Sequence, residues 1–174
     1  SIFYILCKDN NLNNKLIINQ KSFSMTLDFI LRLFVASLLG GLIGLEREYR
    51  EKAAGLRTHF LVALGSALFM IVSAYGFDGV LTDSHMRLDV SRIASQVVTG
   101  IGFIGAGTII FQKNAIHGLT TAAGVWVTAA IGLACGSGMY LLALVASLLV
   151  LIGLEAFNYL LKILEDRQEE TKDK

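Results

Sequence analysis

From Ser91 to Phe111 the chain is apolar over a length that crosses a bilayer, yet Ser91, Ser95, Thr99, Gly102 and Ala106 recur along it. Steps of four, four, three and four residues keep these small side chains on one side of a 3.6-residue helix. In hydrocarbon, helices are held together by close backbone contact and interhelical hydrogen bonds rather than by exclusion from water. The pattern predicts an all-α, polytopic membrane bundle with closely fitted helices. Charge agrees: 17% of the 174 residues are charged and 54% are hydrophobic, against about 25% charged in soluble domains.

A net charge of +1 excludes the strongly basic class of nucleic-acid binder. Cys7 sits in a polar stretch and Cys135 in an apolar helix, which reads as no disulfide framework, with Cys135 a small packing residue. Proline is absent, so glycine must carry any helix irregularity. Residues 1–24 are rich in Asn, Lys and Ile and lack Gly and Ala. They are expected to be a leader upstream of a functional start at Met25, since no signal-peptide cleavage logic is present. The membrane domain is then 25–161, followed by a charged tail at 162–174.

A spanning helix needs about 20 apolar residues, with a range of roughly 17 to 25. Five segments qualify: Leu27–Leu45, Phe60–Phe77, Ser91–Phe111, Gly118–Cys135 and Met139–Leu161. Gly136-Ser137-Gly138 makes the last two an antiparallel hairpin, or one interrupted unit that lowers the count to four. Lys and Arg set the orientation. Arg47, Arg50, Lys52, Arg57, Lys113, Lys162, Arg167, Lys172 and Lys174 fall on one side of a five-span path, and Arg87 and Arg92 on the other. Lys8, Lys15 and Lys21 join the second side if the leader is present. The expected topology is N-terminus out, C-terminus in the cytoplasm.

Gly100, Gly102 and Gly105 form a GxGxxG pattern, but no strand precedes it and it lies midway along a spanning segment, so the dinucleotide reading fails. With Gly107 the run reads as a close-packing surface, the alternative being a broken helix lining a site. Gly40 and Gly44, like Gly132 and Gly136, have the G-x-x-x-G spacing of helix approach, within a protomer or between copies in a homo-oligomer.

Ionisable residues within spans cost roughly 2.5–3.5 kcal/mol at the bilayer centre on the insertion scale and need a reason. Asp28 and Arg32 are one turn apart near the outer end of the first helix, and Arg92 and Gln96 form a similar pair on the third, with Asp89 a turn before. They read as groups that hold helices in register, or as an outer cluster for a cation or a partner side chain. Glu155, on the last helix, is expected to pair with Arg47 or Arg57, the alternative being a proton or ion relay. Glu46 with Arg50 and Glu48 with Lys52 have helical i,i+4 spacing. Past a turn at Gly55, Thr58 is a candidate N-cap and Arg57 lies where lipid phosphates sit. His59 and His117 fall at helix starts, where interfacial placement explains them, and with His85 they show no metal-ligand or nucleophile spacing. No catalytic, cofactor or metal site is expected.

The runs Gly40-Gly-Leu-Ile-Gly-Leu-Glu-Arg47, Ala54-Gly-Leu-Arg-Thr-His59, Leu64-Gly-Ser66, Gln96-Val-Val-Thr-Gly-Ile-Gly-Phe-Ile-Gly-Ala-Gly107 and Gly118-Leu-Thr-Thr-Ala-Ala123, with Trp126 and Ala129-Ala-Ile-Gly132, resemble the MgtC/SapB family in order and spacing over about Met25 to Leu161. The resemblance implies a bacterial inner-membrane protein tied to growth in low magnesium and, in pathogens, to survival inside macrophages. Implied partners are the F-type ATP synthase or magnesium transport ATPases. Many members carry a soluble C-terminal domain, so activities that need it are not expected from these residues alone.

Three functions are distinguishable. A regulatory membrane protein would bind other membrane proteins through its small-residue faces. A Mg²⁺ transporter or channel would need carboxylates and room for retained waters, and the span carboxylates Asp28 and Glu155 sit at opposite leaflets. That scarcity favours the regulator unless several protomers combine. An assembly factor would change the abundance of a partner complex.

Overall fold

The computed structural model describes residues 2–77, 89–112 and 115–172, with side chains described from Gln20 to Ala156 apart from Val90, and at Tyr159. Lys113, His85 and Arg87 lie outside the described residues. Five helices and one small hairpin follow in order: α1 (Ile2–Tyr49), α2 (Leu56–Tyr75), α3 (Val90–Ala106), β1 (Ile110–Gln112), β2 (Ala115–His117), α4 (Leu119–Gly136) and α5 (Tyr140–Lys172). The first helix has 48 residues and runs without a break at Met25. At 1.5 Å per residue it is about 72 Å long, more than twice a bilayer core.

Three helical stretches are long and apolar enough to cross a membrane: Gln20–Tyr49, Leu56–Tyr75 and Leu119–Gly136. The described apolar residues of α5 run from Tyr140 to Ala156, and α3 has 17 residues, at the short end of the spanning range.

At the centre, α2 is clamped from two sides. From α1, a Cβ on Gly40 would lie 2.6 Å from the His59 carbonyl oxygen, and one on Gly44 2.7 Å from Leu56 Cα. From α4, a Cβ on Gly136 would lie 2.6 Å from the Ala67 carbonyl oxygen, and one on Gly132 would run into that of Ala63. Both G-x-x-x-G pairs thus act within the protomer, bringing backbone against backbone where lipid gives no hydrophobic drive. Ala36, Leu39 and Ile43 of α1, Ala67 of α2, Ile131 and Cys135 of α4 and Ala143 of α5 fill the space between them. Ala54, Ile101, Val125 and Ala129 form a second, smaller cluster.

The third segment departs from expectation. Its helix stops at Ala106 instead of running to Phe111. The helix-weakening pair Gly105 and Gly107 is followed by Thr108, whose amide and hydroxyl both turn back to the Gly105 carbonyl, at 2.9 and 2.7 Å. The residues Ile109-Ile110-Phe111 then prefer a strand. What reads as a loop at 112–117 belongs to an antiparallel hairpin pairing Phe111 with Ile116 and Ile110 with His117. Gly118, at φ +89°, turns the chain into α4; a side chain there would strike the Thr108 carbonyl.

Candidate functional site

At one end of the bundle Arg32 ties four helices together. From α1 its Nε donates to Asp28 Oδ2 at 2.8 Å, and its Nη1 donates to the Gly136 carbonyl at 2.8 Å and reaches the Tyr75 hydroxyl at 3.4 Å. Tyr140 of α5 donates to the other Asp28 oxygen at 3.3 Å. The Gly136 carbonyl is one of the acceptors left over at the end of α4, where the helix dipole also favours a cation. Phe29 and Tyr75 flank the guanidinium. Arg32 and Asp28 therefore form one polar cluster across the helix ends. Tyr75 and Tyr140 belong to it, although neither is marked by a spacing rule along its own helix.

At the other end, Glu46 binds two arginines. Arg47 donates to it through Nε and Nη2 at 2.5 and 2.8 Å, and Arg50 through Nε at 2.7 Å. Arg47 is 2% exposed and turned into the bundle, so it does not meet Glu155 as expected, and Arg57 is exposed at the start of α2. Arg50 pairs with Glu155 instead, linking α1 to α5. This bond holds the Arg50 guanidinium above its usual pKa. Arg50 follows Glu46 by one helical turn and so shares its side of α1. Glu48 does not pair with Lys52, because α1 ends at Tyr49. Its carboxylate accepts the Leu56 amide at 2.7 Å, which replaces Thr58 as the cap of α2 and puts negative charge at that helix start.

His59, in the first turn of α2, is fully buried within the bundle. Its Nδ1 lies 3.0 Å from the Gly55 carbonyl, and its Nε2 finds no partner among the described residues. The same helix face that Gly40 and Gly44 grip carries His59 inward, which is the signal in the sequence that locates it.

On α3, Asp89 caps the helix. Its carboxylate accepts from the Ser91 amide at 3.0 Å and the Ser91 hydroxyl at 2.5 Å, and the hydroxyl bond pulls its pKa down. Arg92 contacts Asp89 through its backbone amide at 3.1 Å, and no side-chain bond joins Arg92 to Gln96 among the described residues. The glycine run divides. Gly105 packs on α4, where a Cβ would lie 3.3 Å from the Ala122 carbonyl, and Gly107 closes the helix end. At Gly100 and Gly102 a Cβ would meet nothing within 4 Å. Ser91, Ser95, Thr99, Gly102 and Ala106 are all exposed, so the small-residue side of α3 is not its packing side. A groove of about 650 Å³ lies between α2 and α3, with Gly65, Phe69, Gln96, Gly100 and Ile104 among its walls.

No group of three or more His, Cys, Asp or Glu gathers into a metal-binding arrangement among the described residues. The bundle thus offers two arginine-centred clusters, a packed core and an open α3 face.

Similarity to known proteins agrees in extent. The candidate magnesium transporter YhiD of Escherichia coli K12 is 59% identical over 136 residues, which is 78% of this chain and 63% of that protein. Protein MgtC of Salmonella typhimurium LT2 is 46% identical over 123 residues, covering 71% of this chain and 49% of its own length. The uncharacterized protein slr0014 of Synechocystis is 45% identical over 123 residues, 71% of this chain and 49% of that protein. The chain therefore spans less than two thirds of these relatives. No solved structure matches it. Residues 33–163 match the sequence pattern of the MgtC family, from the first clamped helix to the end of the apolar part of α5, and the chain belongs to that family.

Proposed function

We propose that this chain is a regulatory protein of the bacterial inner membrane, linked to adaptation to low magnesium, that acts by binding other membrane proteins. It crosses the membrane five times, with the Asp28 end of α1 outward and the Glu46 and Glu155 end facing the cytoplasm. The Lys and Arg balance of the connections supports that orientation. The name of YhiD, a candidate magnesium transporter, supports the link to magnesium, and family resemblance suggests the F-type ATP synthase or magnesium transport ATPases as partners, with a role in virulence where the host is a pathogen. We assign the chain no catalytic step.

The observation that carries the regulatory reading is the state of the carboxylates. Asp28, Glu46 and Glu155 are each paired with arginine. A Mg²⁺ path wants free carboxylates and retained waters, and an arginine at each one opposes cation binding. The alternative, a cation transporter or channel formed by several copies, draws support from the name of YhiD. The test is a photoreactive residue placed on the exposed faces of α3 and α5, at Phe103, Leu141 and Leu149, in cells grown at low magnesium. The reading expects a discrete adduct with another membrane protein. Adducts with lipid and with the chain itself only, at every position, overturn it.

A further inference from the structure

Among the described residues one buried side-chain atom is left without a hydrogen-bond partner, Nε2 of His59. The ring's other nitrogen, Nδ1, lies 3.0 Å from the Gly55 carbonyl. A carbonyl only accepts, so Nδ1 carries the hydrogen, and in the neutral ring Nε2 is a bare lone pair. Buried polar atoms are nearly always paired, and an exception calls for an explanation. A phenyl ring would fill the same space and leave nothing unpaired.

The atom sits in a junction of three helices. Gly44 of α1 presses on the His59 Cβ and Gly40 on its carbonyl. From α4, Gly124 faces Nε2, since a Cβ there would lie 3.5 Å from it. Thr128, one turn along α4, already donates its hydroxyl hydrogen to the Gly124 carbonyl at 2.8 Å. The surrounding charges offer no acceptor either. From α1, Arg47 is buried and bears only donors, and both Glu46 oxygens are bonded to arginines. Glu48 holds the Leu56 amide. On α2 itself, Arg57 is exposed and Tyr75 lies at the far end. The ionisable side chain of α4 is Cys135, at its other end, and that of α3 is Arg92, in its first turn. His117 is exposed before α4, and Glu155 of α5 is held by Arg50.

We propose that His59 is a proton-operated catch: neutral, it lets α1, α2 and α4 close on one another, and protonation at Nε2 parts α4 from α2 at Gly124. The imidazolium adds an N–H donor at Nε2, aimed at helix backbone beside a buried arginine. Such a charge is costly without an acceptor or water, and water reaches it only where the helices separate. One proton enters from solvent at the Glu46 end of the bundle, and no covalent bond other than N–H changes. Imidazole ordinarily titrates between about pH 5 and 8, so the catch operates in a range that cells meet. The device goes beyond the regulatory reading and stands without it.

The test uses the untagged full chain in lipid bilayers with His85→Gln and His117→Gln, which leaves His59 as its one histidine. Nitrogen-15 NMR of the ring reads tautomer and charge. Spin labels at Leu61→Cys on α2 and Ala130→Cys on α4, both exposed positions, read the separation of the helices once Cys7→Ser and Cys135→Ala remove the native thiols. The expected result is the Nδ1–H tautomer at about pH 8, the imidazolium at about pH 5, and an α2–α4 distance that lengthens along the same curve. Helicity stays constant, and neutralisation restores the short distance. His59→Phe keeps the short distance at both pH values; should that variant fail to fold, the ring signal and the distance in the histidine-bearing chain decide alone. Four results overturn the proposal: the Nε2–H tautomer at neutral pH, a ring still neutral at the acid end, a charged ring with the distance unchanged, or a pH-dependent distance in His59→Phe.

Discussion

Replacing Arg32 by methionine removes the side chain that joins α1, α2, α4 and α5 while keeping most of its apolar stem. Two bonds of 2.8 Å are lost, to Asp28 and to the Gly136 carbonyl. A hydrogen bond to a charged group contributes about 1.5–3 kcal/mol when shielded. Asp28 is 41% exposed, so its share falls toward the ~0.5–1 kcal/mol of a surface pair. The Gly136 bond keeps the larger share, and the rings of Phe29 and Tyr75, 5.7 and 5.5 Å from the guanidinium carbon, add about 1 kcal/mol. Arg32→Met should therefore cost about 4 kcal/mol in total. Asp28→Asn leaves the carbonyl and ring contacts intact and should cost about 1 kcal/mol. The double variant should cost less than the sum, because the two residues share one bond. Reversible unfolding in mixed micelles with increasing SDS fraction, followed by far-ultraviolet circular dichroism, measures all three. If Arg32→Met costs no more than Asp28→Asn, the clamp at the end of α4 is refuted.

The glycines should separate in the same titration. Gly132→Ala drives a methyl group toward the Ala63 backbone and should destabilise by about 1–3 kcal/mol, whereas Gly100→Ala, in open space, should stabilise by about 0.5–1 kcal/mol. Glu155→Gln should leave the melting temperature within error, since Glu155 is 64% exposed and exposed ion pairs contribute little. At Asp89 the folded-state pKa is depressed, so its cap supports α3 above the ordinary carboxylate pKa and is lost as pH falls through the lowered value. Amide exchange at Arg92 and Ile93, corrected for the intrinsic rate, should accelerate in that acid range, and Asp89→Asn should abolish the pH dependence.

The elements most legible in the sequence were those with one dominant period. Gly40 with Gly44 and Gly132 with Gly136 announced close approach, and Asp28 with Arg32 announced a pair, because a helix fixes what stands one turn away. Partners on other helices were not legible. Arg50 rather than Arg47 or Arg57 meets Glu155, since the choice depends on how far α1 runs and which side of it α5 covers. The third segment differs in two ways. Within the protomer α3 packs through Ile101 and Gly105, and its small-residue side stays open. Its last residues are as apolar as a helix requires, but β-branched and aromatic side chains after two glycines form a strand instead. The burial of His59 was not legible from its place near a turn, and only the grip of α1 on α2 accounts for it.

Purified protein reconstituted into liposomes loaded with a Mg²⁺-sensitive dye tests the central claim most directly, with an ionophore as positive control. With the carboxylates held by arginines and the core packed backbone to backbone, Mg²⁺ entry should equal that of empty vesicles at every external concentration. Saturable entry above that baseline, lost on Asp28→Asn or Glu46→Gln, would show that the chain moves the ion itself.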